Sequence, residues 1–482
     1  NILILVGKMV EMKNKHIIFG LICICFVLYF IITNLKCKTI IKGDILVKIQ
    51  SGIIEKKEDI AEFNVPEGVT IIDNYAFGEC WNLRVINLPD TVKIIREKAF
   101  CNCISLEEII LPNSLERIEN GAFLNCKSLK NIKLPEKMII IEGNTFSGCT
   151  LLENIDLPQK LTEIKTSAFE DCKSLRKLVL PNSIKSIENW AFKNCSSLEE
   201  IKAPENIRSI GEDIFEGTAF LTQAQTEEDG GIYWGRILLK YTLLKESVKI
   251  KKFTKVIAAN AFRENKTIKN IELPEGLLEI GNTAFAYCES LEDINLPTSI
   301  EKVGLDIFEG TKYLKKLQVD EYGCKYSENI LLEYKTKGID KIKIRENTRI
   351  IAGNVFYKAE DIKEVYIPES VNCICTQAFI DCNNLEKVEF EEGSKLETIE
   401  SYAFSSCNSL KSISLPINLK SVSQFAFWWC GFETIRIPEN VEYLDLWAIA
   451  DCLYLKRIEL PKSLEGKYYW ISDRPKPEIA FY

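Results

Sequence analysis

Proline marks time along this chain at an interval of 23 residues. Pro66, Pro89, Pro112, Pro135, Pro158, Pro181 and Pro204 follow one another at that step; the series resumes at Pro274 and Pro297, and again at Pro368, Pro416, Pro438 and Pro461. Lys251 and Arg345 hold the same slot without proline. Eleven residues beyond the slot stands an aromatic: Phe77, Phe100, Phe123, Phe146, Phe169, Phe192, Phe215, Phe262, Phe285, Phe308, Phe356, Phe379 and Phe427. Phe404 belongs to a copy that begins at Glu391 and is longer by two residues, and Ile449 replaces Phe in the last copy. A fixed period of this length signals repeated units stacked on one another rather than separate globular domains.

A clear copy runs Leu106, Ile109, Leu111, Pro112, Leu115, Ile118, Ala122, Phe123, Cys126. Ile109 and Leu111 alternate with Glu108 and Ile110, as inward and outward positions of a short strand do. Proline then ends the strand, because it has no N–H to give to a ladder. The Ala-Phe-x-x-Cys stretch suits a tight turn or a short helical turn on the opposite wall. One copy cannot bury its apolar face alone, so the Leu, Phe and Cys of successive copies are expected to pile into shared columns.

The repeated S-L-x-x-I-x-L-P-x-x-L-x-x-I-x-x-x-A-F-x-x-C pattern, as in Ser174 to Cys195, resembles the BspA-like class of leucine-rich-repeat surface proteins. The resemblance covers about residues 59–465. It implies a leucine-rich-repeat solenoid that is β-rich, with parallel strands on the concave face and short turns or helical turns on the convex face. The expected stack has about 18 coils of 23 residues, with two hairpin-like insertions. It also implies surface display and host or cell contact. The chain departs from the general leucine-rich-repeat form at one corner: Thr91 or Ser114 stands where that form has Asn or Cys, so no asparagine ladder is expected there.

The rhythm breaks twice, after Ile214-Phe215-Glu216-Gly217-Thr218 and after Ile307-Phe308-Glu309-Gly310-Thr311. The extra residues, near 228–244 and 321–338, each hold an apolar segment. Both read as β-hairpins projecting from the stack, serving either as binding elements or as structural elaborations.

Eleven of the 18 cysteines follow the repeat rather than a metal pattern. Cys80, Cys103, Cys126, Cys149, Cys172, Cys195, Cys288, Cys382, Cys407, Cys430 and Cys452 fall on one position, where Thr218, Asn265, Thr311 or Ala359 substitutes in other copies. A small, buried, free thiol fits this slot. Disulfides are expected only at pairs such as Cys101 or Cys373 and Cys375. No C-x-x-C occurs, which argues against structural zinc. No metal and no cofactor is expected.

Composition removes several functions. His16 is the one histidine, so Ser-His-Asp, Cys-His and His-ligated zinc arrangements are unavailable in the repeats. Nucleotide-binding, zinc-protease and calcium-loop motifs are missing. The chain is therefore read as not an enzyme. Its net charge of −8 carries no basic block, which argues against nucleic acid as partner.

Residues 1–35 read as a leader: Lys13 and Lys15 precede an apolar run from Ile17 to Ile32. That pattern is an export signal. An uncleaved signal anchor is the first reading, because no small-residue cleavage pattern follows; secretion after cleavage is the alternative. Residues 36–58 are then an N-terminal capping segment and 466–482 a C-terminal tail or cap.

Two surfaces are candidates for binding. One is the concave face of the strands, with Asn131, Lys133, Asn154, Asp156, Lys177, Glu200, Lys202, Glu364, Tyr366 and Arg436 pointing outward. The other is the cluster Trp428, Trp429 and Trp447, a residue type favoured at hot spots. The same tryptophans could instead cover the end of the stack, together with Tyr468, Tyr469 and Trp470. The function expected is a surface-exposed scaffold for protein–protein recognition or adhesion, its partner a protein ligand such as a host or cell-surface protein. The membrane would be met only through the N-terminal segment. A structural, self-associating surface protein is the alternative.

Overall fold

The structure, a computed structural model, describes residues 38–50, 60–335, 338–445, 447–465 and 475–482. The leader, Tyr468, Tyr469 and Trp470 lie outside the described residues. The chain divides into two units: one runs to Ile207 and includes Asp213–Gln223, and the other comprises Arg208–Glu212 and Ala224–Tyr482.

Each coil is the 23-residue unit of the sequence, and its sides follow from where the backbone can hydrogen-bond. The first side is the strand before proline. Glu108–Ile110 pairs in parallel with Val85–Asn87, with Ile109 opposite Ile86. Leu106 and Ile109 are buried, Leu111 is half-buried, and Glu108 and Ile110 face out. Beyond the strand, the Leu115 N–H turns back to the Pro112 carbonyl at 3.0 Å. The corner residue bonds one coil back: the Ser114 hydroxyl donates to the Val92 carbonyl at 2.7 Å, and Thr91 to that of Val69 at 2.8 Å. A Ser/Thr ladder thus occupies the corner where no asparagine ladder was expected.

A second strand follows, which the sequence pattern did not announce. Arg117–Ile118 pairs in parallel with Ile94–Ile95. Two residues are too few to show alternation, and only Ile118 is buried.

The third side holds the Ala-Phe-x-x-Cys stretch, and it is a stack of turns rather than a helical turn. The N–H groups of Lys98, Phe100 and Asn102 donate to carbonyls of the next coil, at Asn120, Ala122 and Leu124 (3.0, 2.8 and 2.7 Å). The alternate N–H groups of Ala99, Cys101 and Cys103 donate back three residues within the coil. This alternation needs left-handed backbone at Lys98 (φ 53°) and Asn102 (φ 58°). It costs roughly 1–2 kcal/mol at a residue bearing a side chain, and the inter-coil bonds offset that cost.

The expected columns are present. Phe77 to Phe215 stack ring on ring at 5.1–5.8 Å in the first unit. In the second unit Phe262, Phe285 and Phe308 form one run, and Phe356, Phe379, Phe404 and Phe427 another. The cysteine column carries more than a small side chain. The Cys126 thiol donates to the Phe100 carbonyl of the coil before at 3.2 Å, and the Cys172 thiol likewise to Phe146 at 3.2 Å. Burial pushes the Cys149 thiol up to about 12, so it keeps the proton it donates. Thr218 and Thr311 use their hydroxyls on the Phe215 and Phe308 carbonyls (both 2.7 Å). No disulfide forms among the described residues. This corrects the disulfide expected at Cys101 or Cys373–Cys375: Cys101 belongs to no disulfide, and Sγ of Cys373 lies 3.6 Å from that of Cys375, well beyond a bond.

The insertions are hairpins, but they do not project; this corrects the sequence reading. In Gly231–Trp234 with Ile237–Tyr241, the second strand joins the ladder in parallel, Ile237 opposite Val256 and Leu238 opposite Ile257. In Cys324–Ser327 with Ile330–Tyr334, Ile330 and Leu331 pair with Ile350 and Ile351. Each second strand therefore acts as the leading coil of a fresh stack, and Tyr241 and Tyr334 head the Phe column, 4.9 and 5.3 Å from Phe262 and Phe356. A third hairpin of the same design, Lys38–Lys42 with Ile45–Gln50, lies in the segment read as an N-terminal cap. Its Ile45 and Leu46 pair with Ile71 and Ile72. Ahead of each inserted hairpin a short helix closes the preceding run. Phe220 on Ala219–Gln223 and Tyr313 on Lys312–Lys316 each pack 4.9 Å from the last Phe of their stack.

The buried Tyr241 hydroxyl has no hydrogen-bond partner. A buried unpaired polar atom costs about 1–3 kcal/mol. Tyr241→Phe, which restores the residue of the column, is expected to raise unfolding stability by about 1 kcal/mol, read from the midpoint of urea unfolding. A destabilised variant would show that the hydroxyl has a partner.

Among the described residues no helix is long and apolar enough to cross a membrane. The final strand, Glu478–Phe481, adds a rung to Arg457–Leu460.

Candidate binding surfaces

The outward residues of the first strands are accessible, and most pair with the residue one coil away. Asn154 Nδ2 donates to Asn131 Oδ1 at 2.8 Å. Lys177 meets Glu200 at 2.6 Å, and Lys341 meets Glu364 at 3.0 Å. Lys343 sits 5.6 Å over the Tyr366 ring. Arg436 reaches Glu459 at 3.5 Å and lies 3.8 Å from the Tyr482 ring centre. Lys133 and Asp156 are exposed and adjacent in register, and Lys202 is exposed. Exposed pairs of this kind add little stability. They leave a mixed-sign surface whose groups largely satisfy one another.

The tryptophans form a more unusual surface, on the turn side of the C-terminal coils. Trp428 stacks on Trp429 at 4.9 Å, and Phe425 lies 5.7 Å from Trp428 and 5.8 Å from Trp447. Tyr402 extends the row, 5.0 Å from Phe425. The structure thus brings the three predicted tryptophans together and adds Tyr402 and Phe425. The signal for these two was their position, each two residues before its column Phe. The Trp428 indole N–H donates to Asp451 at 3.0 Å, which fixes its orientation. Tyr402, Phe425 and Trp429 all have left-handed backbone (φ 58°, 56° and 57°), and Trp429 is 44% exposed. Tyr75, Trp190 and Tyr287 take the same conformation in other coils (φ 54°, 57° and 59°), so it belongs to the turn of the repeat.

Sequence reasoning missed a third feature. The second unit contains a cavity of about 840 Å³ walled by second strands and the residues beside them. None of the predicted first-strand residues lines it. Glu279 forms part of its wall and is 5% exposed. Burial raises the Glu279 carboxyl to about 7, against the opposing pull of Lys302 and the Ser209 hydroxyl, and the charge of Glu400 adds to the rise. Lys302 pairs with Glu400 at 3.1 Å. Burial works against the Lys302 charge, yet Glu400 and Glu279 outweigh it and hold the ammonium protonated. Arg349 crosses from the third stack of coils to the second, donating to the Thr298 and Ile300 carbonyls. The Asn372 side-chain oxygen is buried there without a partner. No local spacing could have flagged these residues, because they come from separate coils. Among the described residues no group of three or more His, Cys, Asp or Glu side chains could hold a metal ion.

Residues 47–149, 116–230, 239–332 and 374–469 match the family described as BspA type leucine rich repeat region. Similar solved structures include a leucine-rich repeat protein from Bacteroides ovatus: 24% identity, 88% of each chain covered, TM-score 0.35. A leucine rich cell surface protein from Faecalibacterium prausnitzii shows 24% identity over 69% of this chain and 79% of that one, TM-score 0.32. The pneumococcal vaccine antigen PcpA shows 19% identity over 93% and 97%, TM-score 0.31. Likeness at this level says nothing of partners or activity. No curated protein matches the chain. With the family match spread over most of the sequence, and its Pro, Phe and Cys positions recurring coil after coil, the chain belongs to the BspA-type leucine-rich-repeat proteins.

Proposed function

We propose that this chain is a non-enzymatic, surface-displayed scaffold that recognises or adheres to a protein partner through the aromatic ledge Tyr402, Phe425, Trp428, Trp429 and Trp447. The observation that carries this reading is the contiguous row of five aromatic rings on the turn side of neighbouring coils, with Trp429 44% exposed. Large rings held there, partly open to solvent, suit an interface, where tryptophan and tyrosine supply much of the binding energy. The absence of histidine from the repeats fits a non-enzymatic role. Display on a surface, by a signal anchor or after secretion, rests on the family and on the apolar run of the leader.

Two measurements test the reading. Protease treatment of intact cells should remove the repeats if they are displayed; full protection would place them inside. Trp429→Gly relieves the left-handed strain, so its melting temperature should stay level or rise, while partner retained in a pull-down falls at least tenfold when Trp447→Ala is combined with it. Retention equal to wild type would remove the ledge from the interface. Light scattering that shows self-association abolished by the same pair of changes would make the partner a second copy of the chain.

A further inference from the structure

We propose that the aromatic ledge recognises a cation on its partner: an arginine side chain in a basic segment, its guanidinium lying on the open ring faces around Trp429. This rests on the ledge being the interface, and it adds the chemistry of what the ledge meets.

Three positions of each turn carry the aromatics of this side: two residues before the column Phe, one after it and two after it. Outside the ledge, four aromatics stand at these positions, Tyr75, Trp190, Tyr287 and Tyr357. Four cations stand there too, Lys98, Lys193, Arg263 and Lys358. They pair one to one. Lys98 lies 5.6 Å from the Tyr75 ring centre, and Lys193 lies 6.0 Å from that of Trp190. Arg263 lies 4.9 Å from the Tyr287 ring centre, and Lys358 lies 4.9 Å from that of Tyr357. At such separations the electron-rich face of a ring attracts a cation. Two pairs form within a coil and two between neighbouring coils, so no single spacing in the sequence produces them.

The ledge departs from this rule. Tyr402, Phe425, Trp428, Trp429 and Trp447 fill five of the nine such positions in its three coils, with Ile449 in the column place of Phe. The other four are Ser405, Ser406, Ala450 and Asp451, so no Lys or Arg is among them. Among the described residues no Lys or Arg lies over a ledge ring. Carboxylates stand beside the rings instead. The Trp428 indole N–H donates to Asp451 at 3.0 Å, and the Trp447 backbone N–H donates to Asp445 at 2.8 Å.

Rings that elsewhere take the chain's own cation are here open to one from outside, with negative charge next to them. The net charge of −8 acts in the same direction. An acidic segment would be repelled by the same groups. Tryptophan is the ring that holds a cation best, and Trp429 is the exposed ring of the five. Arginine suits it better than lysine, because a planar guanidinium stacks on a ring and is more weakly hydrated than an ammonium.

The probe is the peptide acetyl-Gly-Arg-Gly-Arg-Gly-amide, with citrulline in place of both arginines as the uncharged comparison of the same shape. Each is titrated into the purified protein while the tryptophan indole N–H resonances are followed. The expected result is a saturable shift at Trp428 and Trp429, with the citrulline peptide weaker by about tenfold. The Trp190 resonance should stay in place, because Lys193 already covers that ring. Trp429→Gly combined with Trp447→Ala should weaken arginine binding by at least about tenfold. Equal binding of the two peptides, or a Trp190 shift as large as that of Trp429, would overturn the proposal. Neither peptide binding, while the pull-down still falls with the paired substitution, would overturn the cation and leave the ledge as the interface. A pull-down indifferent to that pair, with arginine still preferred to citrulline, would remove the ledge from the partner interface and leave the cation site standing.

Discussion

Phe169→Ala should lower unfolding stability by about 3–5 kcal/mol, the usual cost of removing a buried aromatic ring. Phe169 is fully buried, and its ring lies 5.5 Å from that of Phe146 and 5.6 Å from that of Phe192. The hole would open in the middle of a column whose backbone is fixed above and below. The Phe169 N–H bonds the Ala191 carbonyl at 2.9 Å, and its own carbonyl accepts the Cys195 thiol at 3.0 Å. Collapse around the vacancy is therefore restricted, which places the cost towards the upper end. Because a coil touches chiefly its neighbours, the damage should be local: hydrogen exchange should speed up in the coils carrying Phe146 and Phe192 and stay unchanged in the coil carrying Phe77. Urea unfolding gives the magnitude. A loss below 1 kcal/mol would mean that the rings are not packed as a column.

Gly281→Ala should cost about 1–3 kcal/mol by overpacking, although alanine is ordinarily the milder residue in folded backbone. A Cβ at Gly281 would stand 2.4 Å from the Ala259 nitrogen and 2.8 Å from the Ala258 carbonyl carbon. Both are backbone atoms of the preceding coil and cannot swing aside. The Gly281 N–H donates to the Ile257 carbonyl at 2.8 Å, so opening the gap also stretches a ladder bond. Gly304, at the same position one coil on, is as crowded, with its notional Cβ 2.4 Å from the Asn282 nitrogen. Thermal melting of Gly281→Ala against wild type measures the effect, and an unchanged melting temperature would contradict the close approach of these coils.

The columns were legible in the sequence because their chemistry repeats at a constant interval. Pro112, Phe123 and Cys126 recur with so little drift that stacking follows from the period alone. The second strand was not legible: at Arg117–Ile118 it is two residues long, and one buried isoleucine carries no periodic signal. The left-handed turns were hidden for a different reason. Lys98, Glu264 and Tyr287 share that conformation but no chemistry, because hydrogen bonds to the next coil impose it. The hairpins announced themselves by breaking the rhythm. Their incorporation into the stack went unseen because Tyr241 and Tyr334 take the Phe position at a different spacing from the preceding proline slot. The tryptophan cluster was visible as three residues of one type in neighbouring coils. The cavity was invisible, because Glu279, Lys302, Asn372 and Glu400 approach one another only when separate coils are folded.

The coil as the unit of structure can be tested by deletion. Removing residues 113–135 takes out one whole coil and joins Pro112 to Glu136 in register, so every column closes up by one rung. Removing residues 113–124 deletes about half a coil and throws the remaining Leu, Phe and Cys positions out of line. The stacked fold predicts that the full-coil deletion keeps a native-like circular dichroism spectrum and cooperative unfolding, while the half-coil deletion loses both. Equal damage from the two deletions, or greater damage from the longer one, would contradict it.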